Sequence, residues 1–126
     1  MIVDASAVLA ILRDERGADK ATLHAKGSAI GAVNLAEVLS KASDLGMELP
    51  VVRRQIDRLE IAVEPLTSRQ AEISGALRRP LRHGGISLGD RACLALGVDL
   101  RRPIVTADRK WAELELDLPV EIILIR

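Results

Sequence analysis

The chain contains no Phe, no Tyr and a single Trp, Trp111, so a single-stranded nucleic acid would find almost none of the platforms on which bases usually stack. Its one cysteine, Cys93, excludes an internal disulfide framework and a cysteine zinc site. Cys93 lies in the apolar stretch Asp90-Arg91-Ala92-Cys93-Leu94-Ala95-Leu96, the setting of a small buried hydrophobe rather than a nucleophile. There are two histidines: His24 is expected at the surface and His83, beside Gly84-Gly85, in a solvated loop. No apolar run approaches the ~20 residues of a membrane span. No basic segment precedes an apolar one near Met1, so a cytoplasmic location without a membrane partner is expected. An excess of either charge is also missing. The 18 Lys and Arg balance 18 Asp and Glu, which at face value argues against nucleic acid.

What is present is an aliphatic core on a charged background: 48% hydrophobic and 29% charged residues over 126, consistent with one domain spanning 1–126. Ile2-Val3, Ser28 to Gly31, Ile61 to Val63, Ile104 to Thr106 and Val120 to Ile125 read as strands. Between them, helices are expected over 5–12, 18–26, 33–45, about 50–60, 67–77 and about 89–96. Gly46 closes the third and Pro50 suits the first turn of the fourth. Short apolar strands separated by helices indicate a parallel sheet covered on both faces. The fold class is therefore α/β, a three-layer α/β/α arrangement with a central, mainly parallel sheet.

In open α/β sheets, ligands bind beyond the carboxyl ends of the strands, so the residues just after each strand carry the functional reading. Asp4 follows Ile2-Val3. Asn34 and Glu37 fall three apart on one helix face after the second strand. Asp108 follows Ile104 to Ala107, and Asp90 lies in the first turn of its helix. An acid in a first helical turn complements the helix dipole by about 0.3–1 kcal/mol and by itself needs no function. Asp4, wedged between a strand and an apolar helix, and Glu37, among Leu35, Ala36, Val38 and Leu39, are less easily explained that way. Four carboxylates gathered at one rim would repel and acquire raised pKa values unless a hard divalent cation such as Mg²⁺ or Mn²⁺ compensated them. Such ions activate water for in-line displacement at a phosphodiester.

Four segments in order, Ile2-Val3-Asp4-Ala5-Ser6-Ala7, Asn34-Leu35-Ala36-Glu37, Ser87-Leu88-Gly89-Asp90-Arg91 and Thr106-Ala107-Asp108-Arg109-Lys110-Trp111, resemble the signature segments of the PIN domain. They are most similar to its VapC branch, the ribonuclease half of VapBC toxin–antitoxin modules. The resemblance implies Mg²⁺- or Mn²⁺-dependent endoribonuclease activity, with Asp4, Glu37, Asp90 and Asp108 as the acidic positions. Asp4 and Asp90 would be direct ligands, completed by Glu37 and Asp108. Ser6 and Asn34 match supporting polar positions, and Thr106 the hydroxyl beside the last acid. Gly31 departs from the pattern, standing where relatives often carry Ser, which removes a supporting hydrogen bond. The resemblance also implies a homodimer and a cognate antitoxin seated in an apolar groove.

The zero net charge hides its distribution. Residues 69–110 hold nine Lys or Arg against Glu72, Asp90, Asp99 and Asp108, while Glu113, Glu115, Asp117 and Glu121 compensate elsewhere. Arg78, Arg79, Arg82 and Arg91 flank the loop into Asp90 and are the candidates for RNA phosphate contacts. Arg101 and Arg102 read as solvated. Val8, Leu9, Ile11, Leu12, Leu23, Val51, Val52 and Ile56 are expected to pack in the core. The competing readings are another Mg²⁺-dependent phosphoryl-transfer enzyme and a non-catalytic PIN-like interaction module. Phosphatases of the haloacid dehalogenase type place a second Asp two residues after the first, a position held here by Ser6.

Overall fold

Five short segments pair into one all-parallel sheet: β1 (Ile2–Val3), β2 (Ala29–Gly31), β3 (Ala62–Glu64), β4 (Ile104–Thr106) and β5 (Ile122–Leu124), in the order β3-β2-β1-β4-β5. The computed structural model describes residues 1–114 and 118–126, so Glu115 and Asp117 lie outside the described residues. Strand alternation sends successive side chains to opposite faces. Val3, Ile30 and Val105 enter one apolar core, whereas Ile2, Ala29 and Ile104 enter a second. Both faces are apolar because both are covered, as a parallel sheet requires.

The first core is closed by α1 (Ala5–Leu12), α2 (Ala18–Ala25), α3 (Ala32–Asp44) and α4 (Leu49–Arg58) through Val8, Ala21, Val38, Val52 and Ile56. The second is closed by α5 (Ser68–Leu77), α6 (Leu88–Leu100) and a 3₁₀ turn (Arg109–Glu113), through Leu77, Leu94, Leu96 and the buried Trp111. The three-layer reading holds, and Trp111 packs in the second core. The burial of Cys93, in the same core, holds too. Val8, Val52 and Ile56 are buried as expected, but Leu23 and Val51 face solvent.

Three further expectations need correction. Helix α6 starts at Leu88 and runs to Leu100, because Ser87 rather than Gly89 caps it. Only Ile122–Leu124 of the final apolar segment pairs, at the sheet edge against β4. Arg102 is not simply solvated: its guanidinium donates to the carbonyls of Met1 (3.0 Å) and Gly27 (3.2 Å), tying the β1 and β2 entries together. Among the described residues, no helix is long and apolar enough to cross a membrane.

Candidate active site

The strand order reverses at one place. The chain runs outward from β1 through β2 to β3, then returns to lay β4 on the other side of β1. Such a switch point opens a crevice at the carboxyl ends of the two diverging strands. Asp4 closes β1 there and Thr106 closes β4, held side by side by Asp4 N donating to Val105 O at 2.9 Å.

Asp4 is buried, and its Oδ2 accepts from Ser6 Oγ (2.7 Å) and Thr106 Oγ1 (3.0 Å). Both hydroxyl protons are thereby committed, so their lone pairs serve as acceptors. Ser6 Oγ receives Ala107 N (2.9 Å) and Thr106 Oγ1 receives Asp108 N (3.1 Å). Two backbone amides thus polarise two hydroxyls that converge on one carboxylate oxygen, a fully satisfied network of the kind that fixes a side chain. Burial nevertheless raises the Asp4 pKa to about 6. The hydroxyls oppose that rise, and Asp90 and Glu37 add to it. Replacing Thr106 by Val keeps the shape but removes a donor to Asp4 and the acceptor of Asp108 N. Thr106→Val is expected to lower the unfolding free energy by about 1–3 kcal/mol in denaturant titrations. Wild-type stability would refute this account of the hydroxyls.

Glu37 is positioned differently. The buried Asn34 donates both amide protons, one to Glu37 Oε2 (2.9 Å) and one to the carbonyl of Gly89 (3.0 Å), clamping α3 to the first turn of α6. The helices approach so closely that a β-carbon at Gly89 would overlap Glu37 Oε1 and lie 2.5 Å from its Cδ. Burial raises the Glu37 pKa, Asn34 opposes this and Asp90 adds to it. Asn34 Oδ1 has no partner among the described residues, and a β-carbon at Gly31 would lie 3.2 Å from it. The missing Ser hydroxyl at Gly31 thus coincides with an unsatisfied acceptor.

Asp90 and Ser87 form a reciprocal capping box: Ser87 N donates to Asp90 Oδ2 (2.9 Å) and Asp90 N to Ser87 Oγ (3.1 Å). Asp108 caps the 3₁₀ turn, its Oδ1 accepting from Lys110 N at 3.0 Å. The bland role for these two acids is therefore real, and it also fixes their orientation. Asp4, Glu37 and Asp90 act on one another, and all three help burial raise the Cys93 thiol pKa well above its ordinary value. Asp108 is tied to Asp4 only indirectly, its backbone amide donating to the Thr106 hydroxyl. Among the described residues, no three Asp, Glu, His or Cys side chains are gathered tightly enough to ligate one cation as they stand.

One pattern runs through all four acids. Asp4, Glu37, Asp90 and Asp108 each spend one oxygen on internal hydrogen bonds: Oδ2, Oε2, Oδ2 and Oδ1. The other oxygen of each receives no hydrogen bond from the described residues. Ser87 and Gly89 are the positioning residues that sequence reasoning missed. The Ser-x-x-Asp spacing was a readable signal for Ser87, whereas nothing local marks Gly89.

The four candidate arginines are not alike. Arg78, Arg79 and Arg82 are exposed at the end of α5 and in the loop after it, and Arg82 Nε donates to His83 at 3.0 Å. Arg91 is half-buried and donates to Ser74 O at 3.1 Å.

The family model of the PIN domain matches residues 1–116. A VapC ribonuclease of Mycobacterium bovis and the ribonuclease VapC28 of Mycobacterium tuberculosis are each 39% identical over 121 residues, covering 83% of this chain and 86% of the relative. Among solved structures, the fold is similar to a toxin–antitoxin complex from Klebsiella pneumoniae (TM-score 0.71, 23% identity, 96% of this chain and 98% of that one). It is also similar to DNA-bound VapBC from Salmonella typhimurium (TM-score 0.72, 18% identity, 99% and 97%). With four ordered acidic segments at a strand-order switch point, and these likenesses over most of its length, the chain belongs to the PIN-domain family, in its VapC branch.

Proposed function

We propose that this chain is a Mg²⁺- or Mn²⁺-dependent endoribonuclease, the toxin of a toxin–antitoxin pair, acting in the cytoplasm as a homodimer until a cognate VapB-like antitoxin neutralises it. The observation that carries this reading is the set of four carboxylate oxygens that receive no hydrogen bond from the described residues while their partner oxygens are fixed. An all-oxygen, anionic donor set suits a hard divalent cation and not a soft one. The burial-raised pKa of Asp4 fits as well, because a buried carboxylate among like charges is the arrangement a cation stabilises most. When bound, the cation would neutralise the acids and supply an activated water for hydrolysis of the phosphodiester.

The chain's own residues do the positioning. Ser6 and Thr106 aim Asp4, Asn34 aims Glu37, Ser87 aims Asp90, and the amide of Lys110 aims Asp108. Asp4 and Asp90 are assigned as direct ligands, with Glu37 and Asp108 completing the cup. In the phosphatase reading the position two after Asp4 would be a carboxylate. Here Ser6 donates to Asp4, which places a support there instead of a second acid.

The purified protein incubated with total bacterial RNA and Mn²⁺ should give discrete fragments, and addition of its antitoxin should stop the reaction. Intact RNA across a range of Mn²⁺ and Mg²⁺ concentrations would reject the proposal and favour a non-catalytic module. The exposed Arg82, with Arg78 and Arg79, is assigned to RNA phosphates. Arg82→Ala should weaken RNA binding and reduce the salt slope by about one unit. An unchanged slope in filter binding from low to moderate salt would remove Arg82 from the interface.

A further inference from the structure

The 3₁₀ turn that Asp108 caps also carries two exposed cations, Arg109 and Lys110, and they reach to different segments. The Lys110 ammonium lies against the loop before α6, 3.5 Å from where a β-carbon would stand at Gly85, three residues after Arg82. Arg109 Nε turns instead to the carbonyl of Arg126, just past β5, at 3.4 Å. Arg126 is itself anchored, its Nη1 donating to Glu15 (3.1 Å) and to the carbonyl of Arg16 (3.2 Å). The amide of Ile125 donates to the carbonyl of Thr106 at 3.1 Å, the residue whose hydroxyl holds Asp4. A row of cations, Arg82, Lys110, Arg109 and Arg126, therefore passes along the Asp108 side of the acidic cup.

Arg82, Lys110 and Arg109 make no ion pair among the described residues. Lys110 is the telling case. Its amide donates to Asp108 Oδ1, so its side chain starts beside a carboxylate, yet the ammonium is carried away to Gly85. A cation placed to neutralise the cup would have closed on that acid. Four carboxylates also repel a polyanion, and a divalent cation in the cup serves only the phosphate it touches, so the neighbouring phosphates need cations of their own. We propose that this rim is the track of the RNA backbone, with Arg82 and Lys110 holding a phosphate on one side of the scissile bond and Arg109 and Arg126 one on the other. The inference rests on the ribonuclease reading and deepens it by giving the path of the strand. A second copy would set like charges face to face, and the antitoxin is expected in an apolar groove, whereas the rim is charged and exposed. Phosphate contacts carry no sequence information, so the rim fixes where the strand lies and not which base is selected.

The test is fluorescence anisotropy of the full chain in EDTA with a short labelled single-stranded RNA, repeated across a range of KCl concentrations. Lys110→Gln and Arg109→Gln are each expected to weaken binding and to lower the slope of log affinity against log salt by about 0.7, and the double variant by about 1.4. Lys26→Gln removes an equally exposed cation at the end of α2, where the chain enters the opposite end of the sheet, and should leave the slope unchanged. Stabilisation by Mn²⁺ should persist in every variant, because Gln at position 110 keeps the amide that Asp108 accepts. Wild-type slopes in Lys110→Gln and Arg109→Gln would overturn the proposal, and so would an equal loss in Lys26→Gln, which would reduce the effect to net charge. An unchanged RNA slope with weakened antitoxin binding would also overturn it and assign the rim to a protein partner. Slopes that fall as stated in a protein that never cleaves RNA would support the track and refute only the ribonuclease reading.

Discussion

Asp4→Asn is expected to abolish RNA cleavage and, in EDTA at neutral pH, to make the folded protein more stable than wild type. Two opposite effects of one substitution follow from the same environment. Burial raises the Asp4 pKa from 3.8 to about 6, so the folded state holds this proton more tightly than the unfolded chain does. The unfolded state therefore binds fewer protons across that window, and metal-free stability falls as pH rises from 3.8 through about 6. A rise from 3.8 to about 6 corresponds to a cost on the order of 3 kcal/mol on the high-pH side. Asn is neutral and still presents an oxygen to Ser6 and Thr106, so it removes the cost without emptying the site. Melting curves in EDTA should slope downward for wild type from about pH 4 to about pH 6 and then level off, and be flatter for the variant. Glu37, whose pKa moves in the same direction, leaves a residual slope. Saturating Mn²⁺ should reverse the ranking, raising the wild-type melting temperature and leaving Asp4→Asn unmoved. Parallel pH profiles for the two proteins, or an equal Mn²⁺ response, would contradict the assignment of Asp4.

Gly89→Ala should lower cleavage by roughly 10–100-fold, the range for losing support behind a metal-site residue. On a helix, Gly to Ala ordinarily adds up to about 1 kcal/mol of stability. Here the new methyl would occupy the space of the Glu37 carboxylate and push it off the Asn34 amide. Displacements of this size at a reacting site cost about two orders of magnitude in rate. The diagnostic is Glu37→Asp in the Gly89→Ala background. The shorter acid withdraws from the methyl, so the double variant should be more active than the product of the two single effects allows. Multiplicative losses would mean that Gly89 matters only to the fold, and full activity in Gly89→Ala would show that Glu37 is dispensable.

How much of this was legible in the sequence depends on whether the cause was local. Asp4, Asn34, Glu37, Asp90 and Asp108 could be placed at one rim because strand ends and helix periodicity are local, and parallel strands put their carboxyl ends on one side. The switch point between β1 and β4 depends on strand order, which no local pattern encodes. Ser6 and Thr106 were legible as supports only by resemblance. That Thr106 serves the same oxygen of Asp4 as Ser6 is a contact across 102 residues. Ser87 is readable from its spacing to Asp90, although the reading starts the helix at Gly89. Gly89 itself was opaque, since its need for no side chain arises from Glu37 on another helix. The apolar run at β5 predicts a longer strand than forms, because it continues past the residues that find a partner.

The measurement that bears most directly on the account is the rate of RNA cleavage by wild type and Asp4→Asn across a Mn²⁺ titration that begins in EDTA. No cleavage is expected in EDTA, a saturable rise with Mn²⁺ is expected for wild type, and none at any concentration for the variant. Cleavage by wild type that persists in EDTA, or an Asp4→Asn curve that matches wild type, would contradict it.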